Sequence, residues 1–318
     1  MPPNAPGLDF LRQGVRYNPM TNAIIFDRAQ VRRQRDRAAP RLPEHDFLLQ
    51  EVGERLADRL QDVARSFPLA LDLGCHNGLL APILKSGGKV GQLISCDLSP
   101  EMARRAGSLA LAADEETLPF APNSFDLIVS NLSLHWVNDL PGALLQIRHA
   151  LKEDGLFVGA MLGGQTLIEL RECLMEAELA QEGGVSPRVS PFADLRDLGG
   201  LLQRAGFSLP VVDSDIITVT YGDIMRLFAD LRGMAEGNAV AKRRKSFSRR
   251  ATLFHAMALY IEKFANAEGR MPATFEIMTM TAWRPHASQQ QPLAPGSGRT
   301  HLGEALNGGG LPSDPMDA

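Results

Sequence analysis

The chain predicts an open, doubly wound α/β fold, and three observations carry that prediction. The run Leu71-Asp72-Leu73-Gly74-Cys75-His76-Asn77-Gly78 is an apolar strand ending in an acid, then a glycine turn. A helical pattern follows at Leu79, Leu80, Ile83 and Leu84, so the segment reads as the opening of a βαβ unit. A second apolar run, Leu93-Ile94-Ser95-Cys96, ends in Asp97. Finally, short apolar runs alternate with helical patterns across residues 69–160, as parallel sheets require.

Taken in order, residues 1–22 are rich in Pro, Asn and Gly, show no period and are expected to be mobile. Residues 23–68 form an N-terminal helical extension. Arg28 to Arg41 carries six arginines broken by Asp36. This run reads as a solvated amphipathic helix, against the alternative of an arm covering a substrate or anionic partner. Leu48, Val52, Leu56 and Leu60 recur at i+4 and put a second helix, Glu44 to Val63, against the sheet.

Strand one is Ala70–Leu73 and strand two Gln92–Cys96. Ser99 caps the next helix, with Pro100 at its first position. A short strand near Ala110–Ala113 leads to Asp114-Glu115-Glu116. Phe125–Ser130 is strand four, and the segment Asn131–Val137 leaves its carboxyl end. Pro141–Leu151 is helical, and Gly155 turns the chain into strand five, Leu156–Leu162. Residues 163–205 read as helix split by a loop at Gly183–Phe192. Val211–Thr220 alternates as a strand does. Residues 222–268 form a helical cap of two helices inserted before the last strand, Thr274–Trp283. The core domain therefore spans 69–284, and the Gln-, Pro- and Gly-rich residues 285–318 read as a disordered tail.

Composition bounds the function. At 44% hydrophobic and 22% charged, with a net charge of −4, the 318 residues read as a soluble protein with no field drawing it to nucleic acid or membrane. No apolar run approaches the length of a transmembrane segment, and the N-terminus lacks the pattern of a secretory signal or a transit peptide. Cys75, Cys96 and Cys173 have no C-x-x-C spacing and are expected to be buried and reduced. No metal-ligand spacing is found.

Ligands of open α/β sheets bind outside the carboxyl ends of the strands. Asp72, Asp97, Asp114 and Asn131 all fall at or near such ends. Gly74 and Gly78 let the backbone approach a ligand at a helix N-terminus, and a carboxylate at Asp97 can accept both hydroxyls of a ribose. The turn lacks the G-x-G-x-x-G spacing of dinucleotide sites. The pattern therefore fits an adenosyl ligand without a pyrophosphate, such as S-adenosyl-L-methionine.

Asp-Leu-Gly-Cys at 72–75, Asp97, Leu118-Pro119-Phe120 and Phe125–Ser130 resemble the class I S-adenosylmethionine-dependent methyltransferases. The stretch Leu132-Ser133-Leu134-His135-Trp136-Val137-Asn138-Asp139-Leu140-Pro141, with Gly159-Ala160-Met161, is similar to two related groups. One is the malonyl-acyl-carrier-protein O-methyltransferase of biotin synthesis. The other is the assembly-factor family of respiratory complex I that hydroxylates an arginine of a core subunit. Phe26-Asp27-Arg28, Glu182-Gly183-Gly184, Ser190-Pro191-Phe192 and Arg204-Ala205-Gly206-Phe207 extend the second resemblance over roughly residues 24–306. His76 departs from both, standing where the family's turn has its middle glycine.

The resemblance implies a class I methyltransferase (Rossmann-like) fold, α/β with a mixed seven-stranded sheet, and S-adenosyl-L-methionine as cofactor. It implies cofactor contacts from Asp72, Gly74, Cys75 and Gly78 in the turn, from Asp97, Leu98 and Met102 after strand two, and from Asp114, Glu115 and Asn131. Either Asp114 or Glu115 would meet the adenine. Asp72 either meets the ligand's ammonium or only orients the turn. His135 and Trp136 are read either as a general base and a wall of the reaction site, or as a hydrogen-bonded packing pair. The implied partner is a protein substrate, a complex I subunit with an arginine that is hydroxylated or methylated, with peripheral association at that membrane-bound complex. The implied location is a bacterial-type cytoplasm or, alternatively, the mitochondrial matrix. Methylation of an acyl-carrier thioester or small carboxylic acid, and a non-catalytic assembly chaperone, are the competing functions.

Overall fold

Leucine-, valine- and isoleucine-rich runs at the predicted positions pair into one mixed sheet in the computed structural model, which describes residues 24–290 and residue 297. Among the described residues the sheet has seven strands: β1 (Phe67–Leu73), β2 (Val90–Asp97), β3 (Ala110–Ala112), β4 (Phe125–Asn131), β5 (Leu151–Leu162), β6 (Ser208–Tyr221) and β7 (Met271–Trp283). Their order is β3-β2-β1-β4-β5-β7-β6. The first five run parallel, and β7 is antiparallel to both β5 and β6. Strand order reverses between β1 and β4, which opens a crevice at their carboxyl ends.

The helices are α1 (Arg28–Ala38), α2 (Phe47–Gln61), α3 (Leu80–Ser86), α4 (Pro100–Ala106), α5 (Leu140–Ala150), α6 (Ile168–Glu182), α7 (Leu195–Arg204), α8 (Ile224–Gly233) and α9 (Arg250–Phe264). Each face of the sheet has its own core. Val129 of β4 packs with α2, α3, α6, α8 and α9, while the next-door Ile128 packs with α5 and α7. Such burial on both faces explains why β4 reads as an unbroken apolar run. The predicted i+4 stripe of α2 is the stripe that is buried: Leu48, Val52, Leu56 and Leu60. The two cap helices, α8 and α9, lie between β6 and β7 in sequence, as the reading of residues 222–268 expects.

The N-terminus at 1–22 and most of the tail beyond 290 lie outside the described residues. Residues 286–290 belong to a separate unit and form a turn in which the Gln289 N–H donates to the His286 carbonyl at 3.2 Å. Cys75, Cys96 and Cys173 are buried and free. No helix among the described residues is long and apolar enough to cross a membrane.

Ser99 caps the helix after β2 as predicted, its hydroxyl accepting from the Met102 N–H at 3.1 Å at the start of α4. The same hydroxyl donates to Asp36 of α1 at 2.5 Å, so one fully buried side chain joins two helices. Ser99→Ala is expected to lower stability by about 1–2 kcal/mol, read as a lower urea midpoint at unchanged slope.

Candidate functional site

The glycine turn after β1 is built as the sequence requires. Gly74 has φ +72°, and a Cβ there would stand 2.0 Å from the Ser133 hydroxyl. Gly78 has φ +82°, and a Cβ there would stand 2.7 Å from Ala106 of α4. His76 sits between them at φ +49°, a left-handed conformation that costs a side-chain-bearing residue about 1–2 kcal/mol. Its backbone N–H donates to Asp97 at 3.0 Å, and its Nε2 lies 3.1 Å from the Asn131 carbonyl. Burial and the Arg35 charge press its pKa below the ordinary histidine value, so the ring is neutral.

The turn and the strand ends bring Asp72, Gly74, Cys75, Asp97 and Asn131 together, with Glu115 and Ser133 beside them. Two predicted contacts stand differently. Met102 is wholly buried in the main core, and Leu98 packs on the Phe26, Val31 and Trp136 cluster. Asp72 is also fully buried, and neither carboxyl oxygen has a hydrogen-bond partner. Burial, then the Asp97 charge, pushes its carboxyl up to about 8, so it is largely protonated at neutral pH. His76 Nδ1 and Asn131 Oδ1 are likewise buried without partners. These groups line a cavity of about 10 Å³, room for one small donor.

The reading of the arginine run as a solvated face fails at two positions. Arg35 of α1 is buried between the strand ends. Its Nη1 donates to Asp97 at 3.2 Å and to Glu115 at 3.0 Å, and its Nη2 donates to the Ser133 hydroxyl at 2.8 Å. Arg28 donates to Asp114 at 2.6 Å and also to Glu115. Burial alone would raise the Glu115 carboxyl, but Arg35, Arg28 and Ser133 outweigh it and hold it down to about 2. The acids expected to meet a ribose and an adenine are thus neutralised by one helix. That helix is fastened at its start, where the Ile25 and Phe26 N–H groups donate to Asn138 and the Asp27 N–H to the Ala239 carbonyl. The ring of Phe26 meets Trp136 edge-on at 5.3 Å.

His135 and Trp136 lie in a 3₁₀ turn after β4, both buried. His135 Nε2 is 3.1 Å from a carboxylate oxygen of Glu236, and Trp136 Nε1 donates to the other oxygen at 3.3 Å. Burial would raise the Glu236 carboxyl, but the charge and hydrogen bond of His135 hold it below the usual carboxylate range. Sequence reasoning missed Glu236, because a lone acid after α8 carries no local signal. Beyond it opens a cavity of about 360 Å³, walled mainly by apolar side chains such as Leu170, Phe192, Phe228, Leu253 and Phe275. Its size and lining are those of a small-molecule or side-chain pocket. Among the described residues, no group of three or more His, Cys, Asp or Glu could hold a metal ion.

A methyltransferase domain family matches residues 71–159, from the end of β1 into β5. The mitochondrial arginine-hydroxylase NDUFAF5 of Danio rerio is 46% identical over 297 residues, covering 91% of this chain and 92% of that protein. A malonyl-[acyl-carrier protein] O-methyltransferase of a Methylovorus species is 35% identical over 280 residues, covering 84% and 92%. The crystal structure of YcgJ from Bacillus subtilis superposes with a TM-score of 0.51 at 16% identity, over 73% of this chain and 99% of that one. The YcgJ match supports the fold alone.

Proposed function

The chain belongs to the family of the arginine-hydroxylases named NDUFAF5, and from that membership we propose that it modifies an arginine of a respiratory complex I subunit during assembly of the complex. The near full-length similarity, 46% over 297 residues, carries the reading. The cavity of about 360 Å³ supports it, being lined mainly by apolar side chains that suit an arginine stem and by one acid, Glu236. The modification adds one oxygen atom, so it consumes dioxygen and two electrons from a reductant. The proposed setting is the mitochondrial matrix or its counterpart, a bacterial cytoplasm, beside the membrane-bound complex.

The donor set fits S-adenosyl-L-methionine. Asp97 would take the ribose hydroxyls, Asp114 or Glu115 the adenine amino group, and the partnerless Asp72, His76 and Asn131 atoms call for a donor such as an ammonium. When bound, that cofactor supplies an electrophilic methyl on a sulfonium. Arg35 now holds Asp97 and Glu115, so ligand binding has to displace its guanidinium. Gly74, Cys75 and Gly78 would shape the turn around the ligand, while Leu98 and Met102, packed in separate clusters, would support it from behind. His135 positions Glu236, and Trp136 walls the space between the crevice and the pocket.

The test is the intact mass and fragmentation of the complex I subunit from cells with and without the gene. Loss of one oxygen, about 16 Da, at a single arginine is the expected result. The 35% identity to the acyl-carrier O-methyltransferase favours a second reading, methylation of a thioester-linked or free carboxylate. An unchanged subunit in fully assembled complex I would leave that reading standing. Assembly that survives Asp97→Ala would instead favour a docking chaperone.

A further inference from the structure

The end of α8 is built to hold one carboxylate in place. Ala235 takes the position after the helix that glycine normally fills, at φ +65°. Its N–H donates to the Arg232 carbonyl at 3.2 Å, and the Glu236 N–H donates to the Leu231 carbonyl at 2.7 Å. The backbone of Glu236 is therefore pinned by a Schellman motif, and its side chain is pinned by His135 and Trp136. Those two contacts leave lone-pair directions free on a carboxylate that accepts about four hydrogen bonds. About a tenth of the side chain is accessible, and Glu236 lines the apolar cavity.

The other charged groups on that cavity are Arg188 and Arg232, and neither forms an ion pair with Glu236. Arg188 is committed to Glu178 through Nε and Nη2 and to Ser248 through Nη1. Arg232 donates from Nε to the Phe228 carbonyl. The pocket lining therefore presents one ionised acid together with the rings of Trp136, Phe192 and Phe228. A cation that enters such surroundings has to be weakly hydrated, planar and able to stack on rings, which selects guanidinium over ammonium. Arg35 shows that a fully buried guanidinium is accommodated by acids close by, and it feels the Glu236 charge.

We propose that Glu236 is the specificity residue for substrate, receiving the guanidinium of an arginine whose aliphatic stem lies along the Leu170, Phe228 and Leu253 walls. The assignment rests on the arginine-modifying reading and names the residue that recognises the arginine. It also gives His135 a positioning role, fixing the carboxylate rather than meeting the substrate.

Calorimetry on the purified full chain tests it, with Nα-acetyl-arginine methylamide as probe and the citrulline analogue, its neutral isostere, as control. The wild-type protein is expected to bind the arginine probe at least tenfold more tightly. Glu236→Gln should lose that preference while keeping its near-ultraviolet circular dichroism, and Glu236→Asp should retain part of it. Leu253→Trp, which fills the pocket and leaves Glu236 untouched, should weaken both probes. Equal binding of the two probes by wild type, an arginine preference surviving in Glu236→Gln, or undiminished binding of both probes by Leu253→Trp overturns the proposal. Failure of the arginine-modifying reading shows separately, as a complex I subunit of unchanged mass in cells whose enzyme still prefers the arginine probe.

Discussion

Arg35→Met is expected to lower the stability of the fold by about 3–5 kcal/mol, the cost of breaking a buried ion pair from one side. Methionine replaces the volume and leaves Asp97 without its guanidinium in a site sealed from water. Glu115 keeps Arg28 but loses its second cation, and Ser133 loses a donor. The urea midpoint should fall accordingly, with the slope unchanged. Added S-adenosyl-L-methionine should then recover more stability in the variant than in wild type, since the ligand no longer competes with Arg35 and stabilises by mass action. An unchanged midpoint would mean that Arg35 does not occupy the crevice in solution. Equal recovery in the two proteins would mean that the cofactor and the guanidinium do not share the site.

The same pairs show where sequence reading succeeds and where it stops. The carboxyl halves of β1, β2 and β4 are legible because strands buried on both faces are rich in apolar residues there, and the sequence alone displays that. Asp72, Asp97 and Asn131 are legible because strand ends in such a sheet converge on one crevice. Arg28 and Arg35 are not, because a helix with five arginines looks solvated until the acids facing it are known. They are seven residues apart, two helical turns, so both lie on the face of α1 turned toward the strand ends. Glu236 is hidden for another reason. Its partners are about a hundred residues away in sequence, and only the closure of α8 against the 3₁₀ turn brings them together. His76 stands out as a departure from the family's turn, but nothing local says that its ring folds back onto the Asn131 carbonyl.

Asp72→Asn is expected to stabilise the protein, by about 2–4 kcal/mol at pH 7. In the unfolded chain the carboxyl titrates near its ordinary value of about 4, whereas the fold pushes it up to about 8. Below about pH 4 both states bind the proton and the group contributes nothing to the pH dependence. As pH rises from about 4 towards 8 the unfolded state releases its proton and the native state keeps it, so stability falls by up to about 1.4 kcal/mol per unit. Asparagine removes that linkage, and its amide offers donors to a cavity where His76 Nδ1 and Asn131 Oδ1 have none. Urea midpoints at pH 5 and pH 8 should converge in the variant and differ in wild type. A variant less stable than wild type at pH 8 would show that Asp72 is paired or solvated rather than stranded. The expected gain also bears on function, because a partnerless acid kept at such a cost belongs to a site that needs it. Asp72→Asn should accordingly bind S-adenosyl-L-methionine more weakly while it unfolds at higher urea, separating the group's role in the site from its burden on the fold.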